Sequence, residues 1–261
     1  MQLALGMARM SKVPADSGVW VPGKDIQKVL FALDAGAPEL ILAKEKGYDL
    51  LIAHHPVGPA RLTFPRVVER HVGFMMEKGV PEEVAERATE ELVSRIEVKA
   101  HPTNYQQDVD FAKKLGIPFM NIHLPIDQVT REFLLGAIGR SRARTVGELV
   151  DKLERIPEFR KAKTRIEVRM GERKDPLGKW VLVFAAGTNG GFPVATAYFD
   201  HGIDTVIYLH IDYDELIRLR KDSKGSLVVL GHMAGDSIGI NLFLRKLRTR
   251  GIRSDTLGVV R

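Results

Sequence analysis

The chain has 261 residues, 44% apolar and 28% charged, with a formal net charge of +6 and no cysteine. This length supports one large domain or two modest ones with a proper core, and the balance of apolar and charged residues excludes disorder as the default state. Without cysteine there are no disulfides, no thiolate chemistry and no Cys-based zinc or iron–sulfur site, so any metal must rest on His, Asp, Glu or backbone oxygen.

Met1 to Met10 is too short for a signal peptide and runs straight into polar sequence. No apolar run approaches the roughly 20 residues that a membrane helix needs. The expected location is the cytoplasm, with no membrane partner. Val13 to Gly23 reads as a loop with two prolines and two glycines and contains Asp16-Ser17-Gly18. Ile26, Val29, Leu30 and Leu33 fall at helical spacing, which predicts a helix over Lys24 to Ala35 that Gly36 ends. A second short helix is expected over Ala37 to Lys46.

Asp49-Leu50-Leu51-Ile52-Ala53-His54-His55-Pro56 follows a Gly47-Tyr48 turn. Its apolar run reads as a strand buried on both faces, stopped by Pro56. Two adjacent imidazoles at the end of a buried strand are hard to explain as packing, because each brings polar nitrogens that need partners. They mark a metal or catalytic site.

Helices are expected over Phe64 to Lys78 and over Glu82 to Arg95, with Pro81 at a helix start. Met75 and Met76 read as core filler, and His71 and His101 as structural or surface residues. Asp108 to Leu115 is helical with Gly116 as its cap, and Ile117 to His123 is a strand. Asp127 precedes a helix from Thr130 to Ile138 and could cap it. Thr145 opens a helix to Ile156 with Glu148 three residues on, a capping box.

Arg140 to Lys174 carries 12 Lys/Arg against 6 Asp/Glu and so holds the whole net charge. Such a patch attracts phosphate or nucleic acid, but only Phe159 supplies an aromatic ring, so a solvated face is favoured over nucleic-acid binding.

Strands are expected over Lys163 to Met170, Trp180 to Ala186, Asp204 to Leu209 and Ser226 to Leu230. The glycine-rich Gly187-Thr188-Asn189-Gly190-Gly191 leads into a helix to Asp200. It can offer backbone N–H groups to an anion but matches no nucleotide fingerprint. Met233 to Asp236 opens a helix to about Arg250, where Asp236 could serve as its N-cap, and Asp255 to Val260 closes a sheet. The alternation of strands and helices argues for an α/β layer.

Five of the eight histidines, His54, His55, His123, His210 and His232, fall at the carboxyl ends of expected strands, the edge where open α/β sheets bind ligands. If His54, His55 and His232 meet Asp127 and Asp236, the mixture of nitrogen and oxygen suits Zn²⁺, Mn²⁺ or Fe²⁺ rather than Ca²⁺. A carboxylate can bridge two such ions, and the pair activates water.

These residues resemble a family. Asp49 to Pro56, the His-x-x-x-Asp element of His123 to Asp127, and Gly231-His232-x-x-x-Asp236-x-x-Gly239 look like the three signatures of the NIF-three-like dinuclear-metal proteins, some labelled GTP cyclohydrolase I type 2. Asp16-Ser17-Gly18 resembles the family's Asp-x-x-Gly element, and Gly187 to Gly191 its glycine turn.

The resemblance implies two similar α/β lobes with a two-metal site in the cleft between them, and a ring-shaped homohexamer. Carried over by position, the ligands are His54, His55, Asp127, His232 and Asp236, with His123 beside them. Two departures stand out. Asp236 replaces the usual glutamate, and Tyr208-Leu209-His210 replaces Thr-Gly-Glu, so His210 stands where an acid is usual.

The expected organisation is an N-terminal α/β lobe over 1–140 with a helical insertion at about 57–104, a basic helical linker over 141–163, and a C-terminal α/β lobe over 164–261. The expected function is a hydrolase with two divalent ions (Zn, Fe or Mn), acting on a small anionic molecule such as a nucleotide or another phosphorylated compound. In the cyclohydrolase form of that reading, water activated by the ions attacks a purine ring carbon and His123 or His210 relays protons. The alternative is a non-catalytic metal-binding assembly or regulatory protein.

Overall fold

Nine strands organise residues 1–261 in the computed structural model. They are β1 (Gly18–Val21), β2 (Lys28–Ala32), β3 (Leu50–Ala53), β4 (Phe119–Asn121), β5 (Glu167–Met170), β6 (Trp180–Leu182), β7 (Thr205–Tyr208), β8 (Ser226–Val229) and β9 (Arg253–Leu257). One sheet has the order β1-β4-β3-β2-β9 and the other β5-β8-β7-β6. Within each, the first strand of the lobe runs antiparallel at one edge and the next three are parallel. Leaving β9 aside, the two lobes therefore repeat one topology, as expected for an α/β protein of two similar halves.

The central strands are continuous apolar runs because helices cover both faces of a parallel sheet. Val29 to Ala32 and Leu51 to Ala53 are all buried. The same logic explains a misreading. Val29, Leu30 and Leu33 fit a helical period, yet Lys28–Ala32 is strand β2, paired in parallel with β3 and β9. A short, uniformly apolar run satisfies either period, and its length favours a strand. The expected loop over Val13 to Gly23 likewise contains β1, which pairs with β4.

The insertion folds as three short helical pieces, Ala60–Thr63, Pro65–Val68 and Arg70–Met76, followed by one long helix, Glu82–Ala100. Pro65 sits at the start of the second piece, where its missing N–H costs nothing. The long helix buries Ala85, Ala88 and Leu92 against the second lobe's Val181, Val194 and Tyr198. The insertion thus roofs the second lobe rather than standing apart.

Two expected boundaries are corrected. Residues 141–163 are helical, as expected of the linker, but they join the second lobe: the helices Val146–Leu153 and Pro157–Lys161 pack Leu149, Leu153 and Phe159 against Leu182, Ile207 and Val228 of the second sheet. The expected capping contact is present, with the Glu148 N–H donating to Thr145 Oγ1 at 3.2 Å. The C-terminal lobe does not keep all of 164–261 either, since β9 belongs to the first sheet. The helix His232–Arg248 makes this possible, because its 17 residues span about 25 Å and carry the chain back across.

That helix packs against Leu124–Ser141, and Gly239 lets them approach. A Cβ there would lie 2.4 Å from Thr130 Oγ1 and 2.5 Å from the Ile126 carbonyl oxygen. The Gly239 N–H donates to Thr130 Oγ1 at 3.0 Å. No helix is long and apolar enough to cross a membrane.

Candidate metal centre

The carboxyl ends of β3 and β4 and the starts of these two helices meet in one place. His54 and His55 follow β3, and His123 follows β4 at the N-cap of Leu124–Ser141. Asp127 lies in the first turn of that helix, whereas His232 opens the helix His232–Arg248 and Asp236 lies one turn in. Spacing of i and i+4 places each His–Asp pair on one helix face. Neither aspartate is an N-cap, so the capping roles open to both in sequence are excluded.

Three of the imidazoles are held alike. His54 Nδ1 lies 3.1 Å from the Ile122 carbonyl oxygen, His55 Nδ1 lies 2.6 Å from Asp34 Oδ1, and His123 Nδ1 lies 2.8 Å from Asp16 Oδ2. Each partner only accepts, so each Nδ1 carries a proton and each ring turns its Nε2 the other way, where a lone pair is free for a metal ion once any second proton has left.

Those nitrogens converge on carboxylates. His54 Nε2 is 3.3 Å from Asp127 Oδ1 and 3.7 Å from Asp236 Oδ2. His123 Nε2 is 3.7 Å from Asp127 Oδ2, and His232 Nε2 is 3.1 Å from Asp236 Oδ2. His55 Nε2 is 3.4 Å from Asp236 Oδ2 and 3.3 Å from His232 Nε2. The donor atoms form two groups that share His54: one with His123 and Asp127, the other with His55 and Asp236. His123, expected as a proton relay beside the ligands, thus belongs to one of the two donor groups.

Despite this proximity, His54 Nε2, Asp127 Oδ1 and Asp236 Oδ2 are buried and make no hydrogen bond. Buried polar atoms left without partners are costly. Three of them facing one another, in a set of imidazole and carboxylate, fit first-row divalent ions.

The titration behaviour follows from the same crowding. Burial alone would lower the pKa of His123, but Asp127, Asp16 and Asp236 outweigh it and raise it to about 9. His55 is raised as well, with Asp236 and Asp34 overcoming burial. Burial would raise Asp236, yet His54, His232 and His55 hold its carboxyl well below the usual range. The site thus stabilises a carboxylate amid cations, and divalent ions would take over from the protons.

A cavity of about 380 Å³ opens beside the cluster, between the lobes and the long insertion helix. His55, His123, Asp127, His232 and Asp236 line one end, and Phe64, Phe184 and Leu209 give it apolar walls. His210 also lines it, packed against His232 with ring centroids 4.7 Å apart and the rings tilted by 36°. Burial and the neighbouring His232 lower the pKa of His210, so it is neutral near pH 7. The Asn189 amide nitrogen lies 2.9 Å from His210 Nδ1.

All seven residues singled out in the sequence are brought to this place. Missed were the supports: Asp34 carries no local signal, and Asp16, though noted in a motif, had no role until β1 and β4 paired. The basic segment 140–174 does not line the main cavity, but its Arg165 and Arg169 line a second hollow that also reaches His210 and His232. Several of its charges are spent locally, as in the Arg165–Glu154 and Arg173–Asp151 ion pairs at 3.1 and 2.6 Å.

Comparison with known proteins agrees with this reading of the fold. The family profile described as Duf34/NIF3 (NGG1p interacting factor 3) matches residues 10–80. A crystal structure of a NIF3 superfamily protein from Sphaerobacter thermophilus is 43% identical, covers 98% of this chain and 96% of that one, and superposes with a TM-score of 0.95. Reduced HcgD from Methanocaldococcus jannaschii (13% identity, 98% and 95% coverage, TM-score 0.62) and the Staphylococcus aureus hypothetical protein SA1388 (14%, 98% and 93%, 0.54) share the fold. No curated protein matches the chain. The conserved architecture and the extent of the 43% identity lead to one conclusion: the chain belongs to the NIF3 family.

Proposed function

We propose that this protein is a divalent-metal-dependent hydrolase with a two-ion centre, acting on a nucleotide or another phosphorylated small molecule. The observation that carries the reading is the pair of donor groups sharing His54, with buried, unpartnered atoms facing one another. His54, His123 and Asp127 would hold one ion and His55, His232 and Asp236 the other. When bound, such ions acidify water and stabilise developing negative charge.

The chain's own residues supply the rest. Asp16, Asp34 and the Ile122 carbonyl fix the imidazoles. Phe64, Phe184 and Leu209 limit water in the cavity and offer an apolar surface to a substrate body. His210, neutral and lining the cavity, is placed to accept or give a proton at its ring nitrogen. The cavity favours an enzyme over a purely structural metal protein, because a structural site is closed by its ligands.

Metal analysis after reconstitution with Zn²⁺, Mn²⁺ and Fe²⁺ should find up to about two ions per chain. A panel of nucleotides and phosphorylated compounds should then show turnover that chelation removes and that His210→Gln slows. Metal binding without turnover on the panel would favour the non-catalytic alternative. The cytoplasmic homohexamer implied by resemblance belongs to the same proposal, and light scattering on the purified chain tests its size.

A further inference from the structure

Beside the metal ligands, the cavity presents cationic side chains and backbone groups. Arg61 and Lys99 line it together with Ala185, Gly187, Thr188 and Asn189. Arg61 is held in place: its Nε donates to the Pro56 carbonyl at 3.2 Å, and Nη2 lies 3.4 Å from Asp108 Oδ2. Lys99, from the last turns of the long insertion helix, forms no ion pair. In the same cavity lining, the backbone N–H groups from Ala185 to Gly190 donate to nothing in the protein, although Ala185, Ala186 and Gly190 are buried. Buried amides are nearly always paired, and four residues of this stretch, Ala185, Gly187, Thr188 and Asn189, line the cavity, so their unpaired N–H groups leave room there for an acceptor that the chain does not supply.

We propose that this wall is an anion subsite that holds a phosphate group of the substrate, while the substrate's reacting end lies at the histidine–aspartate cluster. The inference rests on the reading of that cluster as the centre of a hydrolase. A fixed guanidinium, a mobile ammonium and a row of amides present more donors, in more directions, than a carboxylate can use, and they match a phosphate's oxygens. Phe64, Phe184 and Leu209 in the same lining suit the body of a compound that carries its charge at one end. The insertion thereby gains a role, since it supplies both cations.

The test is calorimetric titration of inorganic phosphate into the full-length protein, both metal-loaded and after chelation, in the wild type and in Arg61→Gln/Lys99→Gln. Phosphate should bind both forms of the wild type, with affinity at least about tenfold weaker in the double variant and with metal stoichiometry unchanged. Acetate should not displace it. If phosphate fails to bind the chelated wild type, or binds the double variant equally well, the proposal is overturned. If acetate competes equally, the phosphate assignment is overturned. Should the Arg61 change prevent folding, Lys99→Gln decides alone, its side chain being exposed: weakened binding supports the subsite and unchanged binding refutes it. Phosphate binding that persists while no phosphorylated compound turns over would refute the hydrolase reading instead.

Discussion

His123 donates from Nδ1 to Asp16 Oδ2 at 2.8 Å, and both side chains are buried. The same carboxylate takes the Leu124 N–H at 3.2 Å, while Asp16 Oδ1 accepts from Ser17 Oγ at 3.1 Å. Asp16 therefore fixes which nitrogen of His123 carries the proton. In Asp16→Asn the amide oxygen can still face both the Leu124 N–H and His123, with the NH₂ turned to Ser17 Oγ, so the change removes the negative charge that strengthens the bond to His123. Metal affinity should fall by about 10- to 100-fold, read by competition with a chelating dye. Unchanged affinity would leave Asp16 with a purely structural role.

Asp127 separates the two donor groups most sharply. It lies inside the helix Leu124–Ser141 rather than capping it, so Asp127→Asn tests ligation without a capping effect. Asn keeps one acceptor and loses the charge. Stoichiometry should drop by about one ion per chain and any hydrolysis by orders of magnitude, with the fold retained. Full occupancy and full activity would remove Asp127 from the centre.

Gly239→Ala should act at a distance. The added methyl meets Thr130 Oγ1 and the Ile126 carbonyl, so the two helices that carry Asp127 and Asp236 must separate. Overpacking of this kind costs about 1–3 kcal/mol. Denaturant midpoints should show that loss together with weaker metal binding, whereas Gly139→Ala, whose Cβ would meet nothing, should leave both intact.

His71 should make the protein acid-sensitive. It is wholly buried, and neither ring nitrogen meets hydrogen-bond geometry. Burial lowers its pKa from 6.5 to about 4, offset slightly by the nearby Thr188 backbone. Between those values the unfolded chain binds the proton and the folded one does not. Stability is therefore full above about pH 6.5 and falls as pH drops toward 4, by at most about 3 kcal/mol. In His71→Leu the difference in urea midpoint between pH 7 and pH 5 should shrink. An unchanged difference would assign the acid sensitivity to other groups.

The site was more legible in the sequence than the strands that frame it. His54-His55-Pro56 stands out because two imidazoles at the end of an apolar run need partners that packing does not give. Val29 to Ala32 failed for the opposite reason: a run buried on both faces carries no period. Asp34, Arg61 and Lys99 were invisible because their roles depend on chains that meet only in space. His71 looked like an ordinary helical residue, and its isolation emerges only once the surrounding side chains are in place.

The return of β9 to the first sheet also bears on motion. The polypeptide crosses from one lobe to the other at residues 141–163 and crosses back along the helix His232–Arg248. A cleft pinned by a single crossing can swing open like a door. Here the second crossing is itself a rigid rod that starts at His232 and Asp236, so opening the cleft would have to drag two donor residues with it. The long insertion helix adds a third tie, since it leaves the first lobe and buries Ala85, Ala88 and Leu92 in the second lobe's core, so the cleft is held from three sides.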